Sequence, residues 1–66
     1  MATVFEYIEV VGTSQTSIED AVQAAVDSVR AQRTIAWFEL ANTRGRLLDA
    51  SGAVEYQVTV RFGCKR

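Results

Sequence analysis

The chain contains no histidine and no proline, and only one cysteine, one methionine and one tryptophan. Without histidine, a Ser-His or Cys-His pair cannot form within the chain, so nucleophilic chemistry of that kind is excluded and no enzyme is expected. The lone Cys64 excludes an intrachain disulfide, and one thiol is a poor basis for a zinc or iron site. No metal site is therefore expected. No apolar run approaches the roughly 20 residues of a membrane span. The N-terminus lacks a basic start followed by an apolar core, so no secretory leader is expected. A free thiol without a partner fits a reducing compartment, and hence a cytoplasmic location. The net charge of −1 gives no whole-chain attraction to nucleic acid or to a membrane surface.

Sixty-six residues make one small domain, spanning 1–66. A chain of this size buries only about 60 % of the surface that its unfolded form exposes, so it is marginal alone. With disulfides and metals set aside, association with copies of itself is the remaining aid. The apolar fraction of 48 % is ample for a folded chain. Every Lys and Arg lies at or after Arg30, and Glu6, Glu9, Glu19, Asp20 and Asp27 all precede it. Most of this asymmetry reads as ordinary surface decoration.

Thr3 to Val11 is rich in β-branched and aromatic residues and predicts a strand. Val4, Ile8 and Val10 share one face; Phe5, Tyr7, Glu9 and Val11 share the other, where Phe5 and Tyr7 suit a subunit contact. Gly12 to Thr16 is a connection of turn-forming residues. Ser17 or Thr16 can cap a following helix, and Glu19 and Asp20 complement its dipole. From Ile18 to about Gln32, the spacing of Ile18, Val22, Ala25, Val26 and Val29 predicts one buried helical stripe.

Ile35 to Arg46 predicts a second strand with unlike faces. Ala36, Phe38 and Leu40 fall on one; Trp37 and Glu39 fall on the other. Gly45 marks an expected bulge. Asp49-Ala50-Ser51-Gly52 is a turn with glycine where a positive φ is required. Ala53 to Phe62 predicts a third strand, with Val54, Tyr56, Val58, Val60 and Phe62 on one face and Glu55, Gln57, Thr59 and Arg61 on the other. The expected fold is α+β: a βαββ chain with a three-stranded antiparallel sheet, order 1-3-2, wrapped on one helix. The helix covers the apolar face and leaves the face of Trp37 and Gln57 open. Cys64 is expected to be a passive terminal residue beside Lys65 and Arg66.

Trp37 and Gln57 form the most suggestive pair. An indole offers a flat, electron-rich ring for stacking. A glutamine amide offers a donor and an acceptor that match an imide edge. Arg44 can place a fork of donors on a phosphate. These are the parts that a planar heterocycle with a phosphorylated tail requires. Pattern alone favours the plainer account, in which Trp37 anchors a protein contact. Carboxylates such as Glu39 and Glu55 can meet across the hairpin, but they read better as solvated or bonded to arginine than as an acid–base dyad.

Several segments together change this balance. Ile8 to Ser14, the helix from Ser17 to Arg30, Trp37-Phe38-Glu39 with Thr43-Arg44-Gly45, and Tyr56-Gln57-Val58 stand in an order that resembles the dodecins, a family of small flavin-binding proteins. The resemblance implies a homododecamer that holds flavin, FMN or riboflavin, stacked between tryptophans of symmetry-related subunits for storage and photoprotection. Trp37 would stack, Gln57 would bond the pyrimidine edge, and Arg44 would lie near the polar tail. Arg46 adds a charge beside Arg44 that can favour a phosphorylated flavin. Some members also hold coenzyme A, and Lys65 matches a basic position there loosely. Ala36 departs from the acidic residue often found before the tryptophan, and the chain ends differently, as Gly63-Cys64-Lys65. The competing expectation is a structural or carrier homo-oligomer without flavin, taking for example coenzyme A or an ion.

Overall fold

The computed structural model describes residues 2–66. Its elements are β1 (Phe5–Ser14), α1 (Ile18–Arg30), β2 (Ile35–Leu47) and β3 (Val54–Lys65). The sheet order is β1-β3-β2, with β3 antiparallel to both neighbours. This is the expected βαββ arrangement. β1 starts two residues later than the pattern predicts and runs on through Gly12, Thr13 and Ser14, which pair with Val58, Gln57 and Tyr56. Ladder hydrogen bonds with the central strand outweigh the turn propensity of these residues.

Ser17 is the helix N-cap, its Oγ accepting from Asp20 N at 3.0 Å. The Asp20 carboxylate does not close a capping box. It accepts from Ser14 Oγ at 2.7 Å and so ties the helix start to the end of β1. The helix ends at Arg30, short of Gln32, and Gln32 N and Arg33 N both bond Val29 O in the turn that follows.

The helix buries Ala21, Ala25 and Val29; Ala25 and Val29 belong to the stripe that the spacing predicts, and Ala21 takes the place of its other members. Val22 and Val26 are only partly buried, and Ile18 is exposed. The cause is a close approach. A Cβ on Gly12 would stand 2.1 Å from Ala21 O and 3.1 Å from Ala25 Cβ. Small residues on both sides let α1 settle directly onto β1, which turns Ala21 inward. Beneath lie Val58, Val60, Phe62 and Cys64 of β3, all fully buried. Burial of each Val or Phe contributes about 1.5–3 kcal/mol. Cys64 is thus a core residue, not a terminal one, since β3 continues to Lys65, whose N–H bonds Thr34 O at 2.9 Å.

The helix lies across β1 and β3 and only grazes β2. Phe38 and Leu40 face the helix side, yet they stay exposed, as do Leu47 and Val54 further along. The expected full cover of the apolar face is therefore incomplete. From the Arg44–Gln57 rung onward the β2–β3 hairpin forms an arm, which becomes two-stranded past Ser14 with Tyr56, the last β1 pair. The radius of gyration is 14.0 Å, against about 11 Å for a compact chain of this length. The arm ends in the anticipated turn, where Gly52 has φ of 89° and Asp49 Oδ1 accepts from Ser51 N at 2.8 Å.

Gly45 is not a bulge; it pairs in register with Tyr56. The register shifts fall at Ala36 and Ala41 instead. At the other end of the sheet, Arg33 forms an ion pair with Glu6 that holds the Glu6 carboxyl below the usual carboxylate range.

Gly12→Ala is expected to cost about 1–3 kcal/mol by overpacking, read by urea denaturation. Gly45→Ala should be near neutral, since its nearest neighbour would be Glu55 O at 3.4 Å. Glu6, with its folded-state pKa lowered, adds stability above the usual carboxylate range and loses it as pH falls through its own lower value. Thermal melts on an acid series should show that loss, and Glu6→Gln should shrink it.

Candidate functional site

The outer face of the sheet is built in rungs across β1, β3 and β2. At one end Tyr7, Gly63 and Trp37 stand in line. Trp37 lies face-down on Gly63. A Cβ there would be 2.2 Å from Cε2 and Cζ2 of the indole and 2.5 Å from Cδ2. Phe5 and Tyr7 meet the indole edge-on, with ring centroids at 5.0 Å and 6.0 Å. Such edge contacts hold a ring in orientation. Trp37 stays 39 % exposed, so it is anchored without being enclosed.

In the next rung Arg61 sits between two carboxylates, with Nε 3.1 Å from Glu9 Oε2 and Nη1 3.7 Å from Glu39 Oε1. Its guanidinium carbon is also 5.4 Å from the Tyr7 ring centroid. This polar bar separates the aromatic corner from the hairpin arm. Glu39 and Glu55 do not meet: Glu39 faces Arg61 and Glu55 faces Arg46.

On the arm, Arg44 pairs with Gln57 and Arg46 with Glu55. Arg44 Nε donates to Gln57 Oε1 at 2.8 Å, and Gln57 Nε2 donates to Glu55 Oε1 at 2.9 Å. Arg46 Nε donates to the same Glu55 oxygen at 2.8 Å. These bonds, that from Gln57 first, hold the Glu55 carboxyl below its ordinary range.

Strict alternation from Trp37 would send Arg44 and Arg46 to the helix side. The extra residue at Ala41 reverses the phase of β2 and returns both to the outer face. Trp37, Gln57, Arg44 and Arg46 therefore share one face, but not one cluster. Trp37 stands opposite Gly63, six residues along β3 from Gln57, which is about 20 Å. One planar ring cannot touch both within a single chain.

The recess beside Trp37, lined by Phe5, Glu6, Tyr7 and the indole, is about 200 Å³, below the 300–1,000 Å³ typical of enclosed ligand sites. A larger trough of about 790 Å³ lies on the other face, against Val26, Ile35 and Phe38. It runs along the uncovered apolar side of β2, away from Trp37, so it reads as a packing surface. Among the described residues no cluster of three His, Cys, Asp or Glu stands ready for a metal ion. None of their helices is long and apolar enough to cross a membrane.

Sequence reasoning missed the role of Gly63, the bracing of Trp37 by Phe5 and Tyr7, and the place of Glu55. A glycine breaking a cleanly alternating strand was the available signal for the first. The other two need the strand register, which no local pattern supplies.

Comparison with known proteins agrees with this architecture. The Dodecin family model matches residues 4–66. The chain is 41 % identical over 66 residues to the dodecin of Thermus thermophilus, covering 96 % of this chain and 91 % of that protein. A crystal structure of a protein from the same organism superposes with a TM-score of 0.88 at 36 % identity, over 98 % of this chain and 96 % of that one. The dodecin of Streptomyces coelicolor gives a TM-score of 0.87 at 33 % identity, over 97 % and 91 %. With its βαββ fold, its braced outer tryptophan and a match over nearly its whole length, the chain belongs to the dodecin family.

Proposed function

We propose that this chain binds and sequesters a flavin, FMN or riboflavin, as a cytoplasmic homododecamer that protects the flavin from light. The observation that carries this reading is the placement of Trp37. The indole is backed by Gly63, braced by Phe5 and Tyr7, and 39 % exposed. A rigid aromatic platform of that kind suits a flat ring, and stacking on indole lets an excited flavin be quenched by electron transfer. Gln57 supplies the donor and acceptor for the flavin's pyrimidine edge. Its distance from Trp37 of the same chain means that a symmetry-related copy brings the two together. Arg44 and Arg46 serve the polar tail. The uncovered apolar side of β2 favours the same assembly, because Phe38, Leu40 and Leu47 gain burial only from another subunit. The role proposed for the site is binding, not turnover.

Titration of the purified protein with riboflavin, followed by flavin fluorescence, tests the reading. Trp37→Ala should keep its assembly by size exclusion and lose most affinity and quenching. By analogy with base–aromatic stacking the loss is about 1–3 kcal/mol per stacked face. Unchanged quenching in that variant defeats the proposal. Gly63→Ala should lift the indole from its seat, weakening flavin binding and altering tryptophan emission with Trp37 still present.

A further inference from the structure

We infer that Glu55 sets the balance between phosphorylated and unphosphorylated flavin, an inference that rests on the function proposed above. The two arginines of the arm are not equivalent. Arg44 Nε is bonded to the neutral amide oxygen of Gln57, and among the described residues Arg44 makes no ion pair. Its charge stands uncompensated. Arg46 Nε lies 2.8 Å from Glu55 Oε1, so its charge is offset at the same rung.

The Glu55 side chain is only 16 % exposed, against 61 % for Arg46. The carboxylate is therefore the inner, better-held partner, and it is ionised at neutral pH as an ordinary glutamate is, with its donors favouring that form further. One oxygen takes both donors, Arg46 Nε and Gln57 Nε2. Glu55 thus does two things. It orients the Gln57 amide, with nitrogen toward itself and oxygen toward Arg44. It also reduces the pair of guanidinium groups to one net positive charge. An anionic tail approaching the arm meets that single charge. With Glu55 neutral it would meet two. The ring and its edge are the same in FMN and riboflavin, so any effect through Gln57 falls on both ligands alike. The effect through Arg46 falls on the phosphate alone.

The experiment compares FMN and riboflavin affinities, by fluorescence titration of the full chain, for the wild type, Glu55→Gln and the double variant Glu55→Gln/Arg46→Gln. Glu55→Gln keeps the shape and an acceptor oxygen and removes the charge. The FMN-to-riboflavin affinity ratio should rise roughly fivefold, the upper end for a solvent-exposed charge pair. The rise should shrink with added salt and vanish in the double variant. Structural damage would weaken both ligands together and leave the ratio in place. A ratio that stays level or falls in Glu55→Gln, or a rise that survives loss of Arg46, overturns the inference. If the wild type binds both flavins and the ratio does not move, this inference alone fails. If it binds neither flavin, the proposed function fails as well.

Discussion

The phase of β2 is the constraint on which the outer face depends. In a strand, each extra residue moves every later side chain to the opposite face. Ala36 and Ala41 are two such residues. The first lets Ile35 point toward the helix while Trp37 points away. The second keeps Arg44 and Arg46 on the side of Trp37, opposite Gln57 and Glu55. Alanine suits both places, because an unpaired residue with a small side chain crowds neither face. Deleting Ala41 alone would turn the arm's basic pair inward and its apolar residues outward.

A second constraint is the narrow seat of the helix. Gly12, Ala21 and Ala25 bring α1 so near β1 that it cannot also span β2. The core is consequently compact and lies over β1 and β3, while β2 carries apolar side chains with nothing above them. A monomer that stopped here would leave a substantial apolar surface in water. The same seat thus fixes what is packed within the chain and what is left for a neighbour.

Much of the fold was legible from periodicity. The strict alternation of Val54 to Phe62 identified the central strand, and the separation of Trp37 and Glu39 from Phe38 and Leu40 identified two faces. The turn at Gly52 followed from the need for a positive φ. The bulges were not legible, because alanine carries no turn signal and Gly45 drew attention as the more permissive residue. The helix stripe was legible at Ala25 and Val29, but Ala21 was passed over because valine outranks alanine in hydrophobicity, whereas closeness of approach decided the packing. Trp37, Gln57 and Arg44 were singled out from residue chemistry, and Arg46 through the resemblance to the family. Their spread along some 20 Å of sheet depends on register, and alternation alone does not carry it.

Cys64 stands where all three strands converge, paired with Glu6 on one side and Ile35 on the other. Its sulfur is wholly shielded. A thiol reagent can reach it only when the strand ends part, so the rate of its modification would report how often the sheet opens. The chain carries, in its sole thiol, a clock for its own breathing.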